Sequence, residues 1–259
     1  MTTPPPNGTS NSTRPNRRQF LRVAGAAAGT AAAFAPKLDI LAQEARGANE
    51  RIGVGFIGTG GRAGAHMGIV KKFQEEGIVE PVAVCDVYRP RLEKAAKGLG
   101  GVKTYDTHEE LLSDPAVDVV CIATPDRLHA PQAIDALNAG KDVYCEKPLT
   151  HWTQFELAKK VEKAAEKNGR IVQVGTQYMA DENYAKVSAM IKDGIIGKPV
   201  HCQLGYFRRG DWGERMHVPD ANAKPGPDLD WERFLGDAPN VPYTVSRFFQ
   251  WRLYCCLLY

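Results

Sequence analysis

At 259 residues the chain is long enough for one complete domain and part of another. With 43% hydrophobic and 24% charged residues, it has the profile of a soluble globular protein. Residues 1–50 hold six of the 33 basic and three of the 30 acidic side chains, which leaves 27 of each in residues 51–259, and that neutral body presents no basic field for a nucleic-acid partner.

Residues 1–16 are rich in Pro, Ser, Thr and Asn and lack any apolar period, so they are expected to be disordered. Arg17-Arg18 and Arg22 then precede a 13-residue Ala/Gly-rich stretch from Val23 to Ala35. That stretch is shorter than the roughly 20 residues a spanning helix needs. A charged patch, a short apolar segment and small residues at Ala33-Phe34-Ala35 have the layout of a secretory signal, although Pro36 follows the candidate cleavage site. The paired arginines before Gln19-Phe20-Leu21 resemble a twin-arginine signal, which implies the twin-arginine export machinery as a partner and a periplasmic or exported destination.

From Arg51 onward apolar runs and helical stretches alternate. Ile52 to Ile57 reads as a buried strand ending in glycines, and residues 65–76 as a helix. Val82 to Cys85 is a second strand, Arg91 to Leu99 a helix, and Lys103-Thr104-Tyr105 a short third strand. Thr107 with Glu110 forms a capping box for a brief helix. Val117 to Ala123 is a fourth strand, followed by a helix from Pro131 to Ala139 that Gly140 stops. Val143 to Cys145 is a fifth strand. Thr153 with Glu156 caps a helix that ends at Asn168-Gly169, and Ile171 to Val174 is a sixth strand. This alternation predicts an α/β fold with a doubly wound parallel Rossmann sheet over residues 51–176. The six cysteines have no metal-ligand spacing, so no metal site is expected. Cys85, Cys121 and Cys145 sit in or beside apolar runs as small hydrophobes.

The glycines indicate what the sheet binds. Gly58-Thr59-Gly60-Gly61-Arg62-Ala63 has Gly-x-Gly-x-x-Ala spacing between a strand and a helix. Gly58 permits a tight turn, Gly60 lets backbone N–H groups approach a pyrophosphate, and Ala63 keeps the helix close to the strand. Gly58, Thr59, Gly60 and Arg62 are therefore candidate cofactor-binding residues. Asp86 ends the second strand 22 residues after Gly64, where an acid bonds the adenosine ribose hydroxyls and repels a 2′-phosphate. NAD is favoured on that ground, while Arg89 and Arg91 leave NADP open.

Two later motifs identify a family. Ala123-Thr124-Pro125-Asp126-x-x-His129 follows the fourth strand, and Tyr144-Cys145-Glu146-Lys147-Pro148-Leu149-Thr150 contains the fifth strand's end. With the glycine loop these resemble the glucose-fructose oxidoreductase, inositol dehydrogenase and rhizopine-catabolism (Gfo/Idh/MocA) family, over residues 51 to about 254. The resemblance implies an NAD(P)-dependent oxidoreductase acting on a sugar, polyol or related carbinol. It implies that Thr124, Pro125 and His129 line the cofactor cleft, that Glu146 meets the nicotinamide ribose, and that Lys147 is the catalytic residue beside the reacting carbons. A partly desolvated lysine near a cationic nicotinamide is suited to acid–base work. As residue types alone, Lys147 also reads as a surface turn and His129 as a helix-start residue.

Residues 177–259 are expected to begin an incomplete α+β second domain that binds substrate and joins subunits of a homo-oligomer. A helix from about Asn183 to Lys192 precedes alternation at Val200, Cys202, Leu204 and Tyr206, which predicts a half-buried strand. Trp212, Trp231 and Trp251 are candidates for stacking on a sugar ring or for filling core. Family members continue with a Gly-Gly pair, an Asp and a His, whereas this sequence ends Tyr254-Cys255-Cys256-Leu257-Leu258-Tyr259, and a truncated reading frame is the expectation. Alternative functions are an NAD-dependent glycoside hydrolase of the same family and a non-catalytic nucleotide-binding remnant.

Overall fold

The computed structural model describes residues 51–205 and 217–254. The export signal, Tyr206, Trp212 and the Cys255-Cys256 ending lie outside the described residues. Six parallel strands form one sheet in the order β3-β2-β1-β4-β5-β6. They are β1 (Ile52–Ile57), β2 (Val79–Cys85), β3 (Lys103–Tyr105), β4 (Val119–Ile122), β5 (Asp142–Glu146) and β6 (Val172–Gly175). The helices between them are α1 (Gly61–Glu75), α2 (Arg89–Gly98), α3 (His108–Ser113), α4 (Asp126–Asn138) and α5 (Phe155–Asn168).

The strands read as apolar runs because both sheet faces are covered. Val54, Phe56, Val84 and Cys121 face Ala63 and Met67 of α1 and Leu92 and Ala96 of α2. Their sequence neighbours Ile57, Cys85, Val120 and Ile122 face the opposite layer, which includes Leu111, Ala133, Leu137 and Val161. Period-two alternation within each strand thus builds two cores. Cys85, Cys121 and Cys145 are all buried, as the sequence predicts.

Four local differences have physical causes. Helix α1 begins at Gly61 rather than residue 65, because burial of Ala63 and Met67 outweighs the poor helix propensity of glycine. Helix α4 begins at Asp126 and carries Pro131 inside it. Proline there removes the bond to the Arg127 carbonyl, and Gln154 Nε2 donates to that carbonyl instead at 3.1 Å. The predicted Thr153–Glu156 box is replaced by one between His151 and Gln154 on a 3₁₀ turn, Trp152–Gln154, ahead of α5. Strand β2 starts at Val79 and tolerates Pro81, since β3 pairs only with Ala83 to Cys85. Thr107 accepts from the Glu110 N–H as predicted, and Gly169 closes α5 in the left-handed region at φ 59°.

After β6 come α6 (Glu182–Lys192), α7 (Trp231–Leu235), α8 (Val245–Phe249) and a 3₁₀ turn, Trp251–Leu253. The strand predicted from Val200 is absent from residues 200–205, where Val200 and Leu204 are 91% and 93% exposed. Alternation marks an apolar face, but a strand forms only where a neighbour pairs with it. Residues 217–254 instead build a third core on the end of the sheet. Leu229, Trp231, Phe234 and Phe248 bury Tyr88, which follows β2. Trp231 is thereby core rather than a sugar platform.

Candidate functional site

The register aligns the strand ends. Ile57 pairs with Cys85 and with Ile122, and Ile122 pairs with Cys145. The residues that follow, Gly58, Asp86, Ala123 and Glu146, therefore emerge at one level on the carboxyl edge of the sheet. The strand order reverses between β1 and β4, and such a switch point is where doubly wound folds bind ligands.

Gly58 has φ +83°, and a Cβ on it would lie 2.8 Å from Thr124 Cγ2 and 2.9 Å from the Ala123 carbonyl. Only glycine fits both the backbone angle and the space. Gly60 is the N-cap of α1, no side chain caps the helix, and its first turn carries no acid. Its terminal N–H groups and the helix dipole are thus left for an anionic ligand. Those features fit a dinucleotide pyrophosphate.

Asp86 fastens this loop to the end of β2. Its Oδ2 accepts from the Thr59 N–H at 2.7 Å and from Thr59 Oγ1 at 2.8 Å, and its Oδ1 accepts from the Tyr88 N–H at 2.9 Å. A carboxylate has about four acceptor positions, so one remains for a ribose hydroxyl. Thr59 is a loop fastener rather than a free polar contact.

Glu146 is buried at the end of β5. Its Oε1 accepts from Arg62 Nε at 2.7 Å and from His66 Nε2 at 2.8 Å. Burial pushes the carboxyl upward, but the bonds from Arg62 and His66 outweigh it and hold Glu146 below the usual carboxylate range. The same contact raises Arg62. His66 was not singled out from the sequence. Arg62 and His66 stand four residues apart on one face of α1, a relation visible only once the helix is known to start at Gly61.

His129 departs from its expected place in the cleft. It is fully buried, with Nδ1 2.6 Å from the Pro148 carbonyl and Nε2 2.8 Å from the Thr124 carbonyl. It ties the loop after β4 to the loop after β5 and leaves no ring nitrogen for a ligand. Thr124 Oγ1 donates to Gln132 at 2.7 Å, and Pro125 is the N-cap of α4. Lys147 is exposed, not partly buried, and is joined to Pro148 by a cis peptide. Arg91 lies over the rings of Phe249 and Phe248 at 4.9 and 5.3 Å, and its Nη1 stands 3.9 Å from where a Cβ on Gly60 would be, so it borders the glycine loop. Burial pushes the thiols of Cys85, Cys121 and Cys145 up, that of Cys121 to about 12, so none is a nucleophile at neutral pH.

Residues 52–176, just under half of the chain, match the family GFO_IDH_MocA, described as an oxidoreductase family with an NAD-binding Rossmann fold. The chain is 35% identical over 167 residues to an inositol 2-dehydrogenase of Rubrobacter xylanophilus, covering 64% of this chain and 46% of that protein. It is 37% identical over 127 residues to the scyllo-inositol 2-dehydrogenase (NAD(+)) of Bacillus subtilis, covering 49% and 36%. Among solved structures it resembles the myo-inositol 2-dehydrogenase of Lactobacillus plantarum, with a TM-score of 0.52, 29% identity, and 58% and 44% coverage. The chain spans less than half the length of these relatives.

Proposed function

We propose that the chain, whose residues 52–176 match the NAD-binding Rossmann model of the Gfo/Idh/MocA oxidoreductase family, serves an NAD-dependent dehydrogenase acting on a secondary alcohol of a cyclic polyol or sugar. The observation that carries this reading is the loop after β1, where Gly58 admits no side chain and the N-terminus of α1 is left uncapped. Bound NAD supplies a hydride acceptor. The chain's own groups bind and orient. The α1 N–H groups receive the pyrophosphate, and the remaining acceptor position of Asp86 receives a ribose hydroxyl. Glu146, braced by Arg62 and His66, meets the second ribose. Lys147 takes the hydroxyl proton at Nζ as the carbinol carbon loses its hydride. His129 positions Lys147 indirectly by holding the Pro148 carbonyl.

The inositol dehydrogenases among the relatives support a cyclic polyol as substrate. The test is to mix the full chain with NAD and myo- or scyllo-inositol and follow NADH by absorbance. Polyol-dependent accumulation of NADH is expected. Nucleotide binding without NADH from any polyol would refute the dehydrogenase reading. Cleavage of a glycoside without free NADH would favour a hydrolase.

Residues 177–259 are read as part of a substrate-binding and oligomerisation domain. Tyr184, Val187, Met190, Ile195 and Ile196 support this, as apolar side chains exposed on and after α6. Export by the twin-arginine route is read from Arg17-Arg18 and the stretch from Val23 to Ala35. Changing both arginines to lysine should hold the protein in the cytoplasm, and unaltered export would refute that route.

A further inference from the structure

Beside Asp86 lies a cavity of about 450 Å³ that the Rossmann domain does not form alone. One wall is Asp86, Arg89 and Asp106, and the other is residues 225–232 from the distant part of the chain. Main-chain bonds fix that second wall. The Arg89 N–H donates to the Asp228 carbonyl at 2.9 Å, and the Asp230 N–H donates to the Val87 carbonyl at 3.0 Å. Leu229 forms an antiparallel bridge with Tyr88. Since Asp86 also holds the Thr59 N–H of the glycine loop, the cavity adjoins the dinucleotide cradle on its adenosine side.

Among the described residues lining the cavity, Arg89 is the cation, three residues beyond the acid that faces the ribose. An arginine near that acid is what accommodates a 2′-phosphate where NADP binds. Here the guanidinium is already engaged. Its NH2 lies 3.3 Å from Asp106 Oδ1, and its Nε lies 3.7 Å from Asp228 Oδ1. Glu232 adds a further negative charge to the lining, whereas Asp230 is paired with Arg233 at 3.5 Å.

Resting on the nucleotide-binding reading above, we propose that Asp106 and Asp228 are specificity-determining residues, which reject NADP by neutralising Arg89 and by repelling a 2′-phosphate. Asp228 makes the selection depend on residues 225–232, well outside the segment that carries the glycine motif. The physical basis is that a phosphate entering the cavity must displace two carboxylates from Arg89 and then sit beside them.

The test uses the full chain and reads binding, not turnover. Affinities for NADH and NADPH are measured by calorimetry and by energy transfer from Trp231, which lines the cavity. In the Asp106→Asn, Asp228→Asn double variant, NADPH should bind about tenfold more tightly while NADH changes less than about twofold. Adding Arg89→Met should abolish the gain. In the unmodified protein, raising ionic strength should narrow the preference for NADH, because these pairs are exposed to screening. Unchanged NADPH affinity in the double variant, a gain that survives loss of Arg89, or a preference indifferent to salt would overturn the proposal. Failure of the unmodified protein to bind either nucleotide would instead overturn the reading on which it rests.

Discussion

Replacing Glu146 with Gln tests whether the buried brace on α1 is electrostatic. The side chain keeps its shape and one acceptor oxygen but loses the charge that Arg62 Nε and His66 Nε2 approach at 2.7 and 2.8 Å. A hydrogen bond to a charged group contributes about 1.5–3 kcal/mol, against about 1 kcal/mol for a neutral one. Arg62 is half-exposed, so solvent screening lowers its share, whereas His66 is buried with Glu146. The net loss should be about 1–3 kcal/mol, or roughly 3–10 °C in Tm for a domain of this size. The pH dependence has a definite sign. The folded pKa of Glu146 is lowered, so its stabilisation is complete above the ordinary value near 4.5 and is lost as pH falls through the lower folded value. Thermal melts of both proteins by circular dichroism, from pH 7 into the acid range, should show a gap that closes below about pH 4.5. Comparing the two proteins cancels the other depressed carboxylates, such as Asp114. A variant as stable as the parent at pH 7, or a gap that persists in acid, would refute the reasoning.

Gly58→Ala should weaken NADH binding more than tenfold and destabilise the fold by at least about 1–2 kcal/mol, since the residue sits at φ +83° against the Ala123 carbonyl; fluorescence titration and urea melts measure both. Asp86→Ala removes the acceptor for the Thr59 and Tyr88 N–H groups and should reduce NAD affinity by about 1–3 kcal/mol, read by calorimetry, with undiminished affinity counting against a role at the ribose. Lys147→Met should lower polyol oxidation by about 10²–10⁴-fold while NADH binding persists, because an exposed side chain contributes little to the fold. Near-normal turnover would remove Lys147 from the chemistry.

Much of the nucleotide domain was legible in the sequence because its signals are local. Apolar runs, a glycine loop between strand and helix, the Thr107 cap and the Gly169 stop each depend on a few neighbouring residues. The start of α1 was hidden by Gly60-Gly61, and the start of α4 by Pro131, since local propensity opposed what packing imposed. The His151 cap was missed because histidine is not a usual N-cap residue.

Tertiary structure alone decided the rest. The sequence determined that Glu146 and Asp86 would stand at strand ends, but not what would meet them there. His66 reaches Glu146 across 80 positions of chain, His129 turns from ligand candidate to strut because two carbonyls converge on it, and Asp228 reaches Arg89 from the far part of the chain. Alternation from Val200 marked an apolar face without supplying the neighbour that makes a strand. Periodicity reports which side of an element is apolar. Partners are chosen by where the backbone returns, and that information lies in the packing of distant segments rather than in any window of sequence.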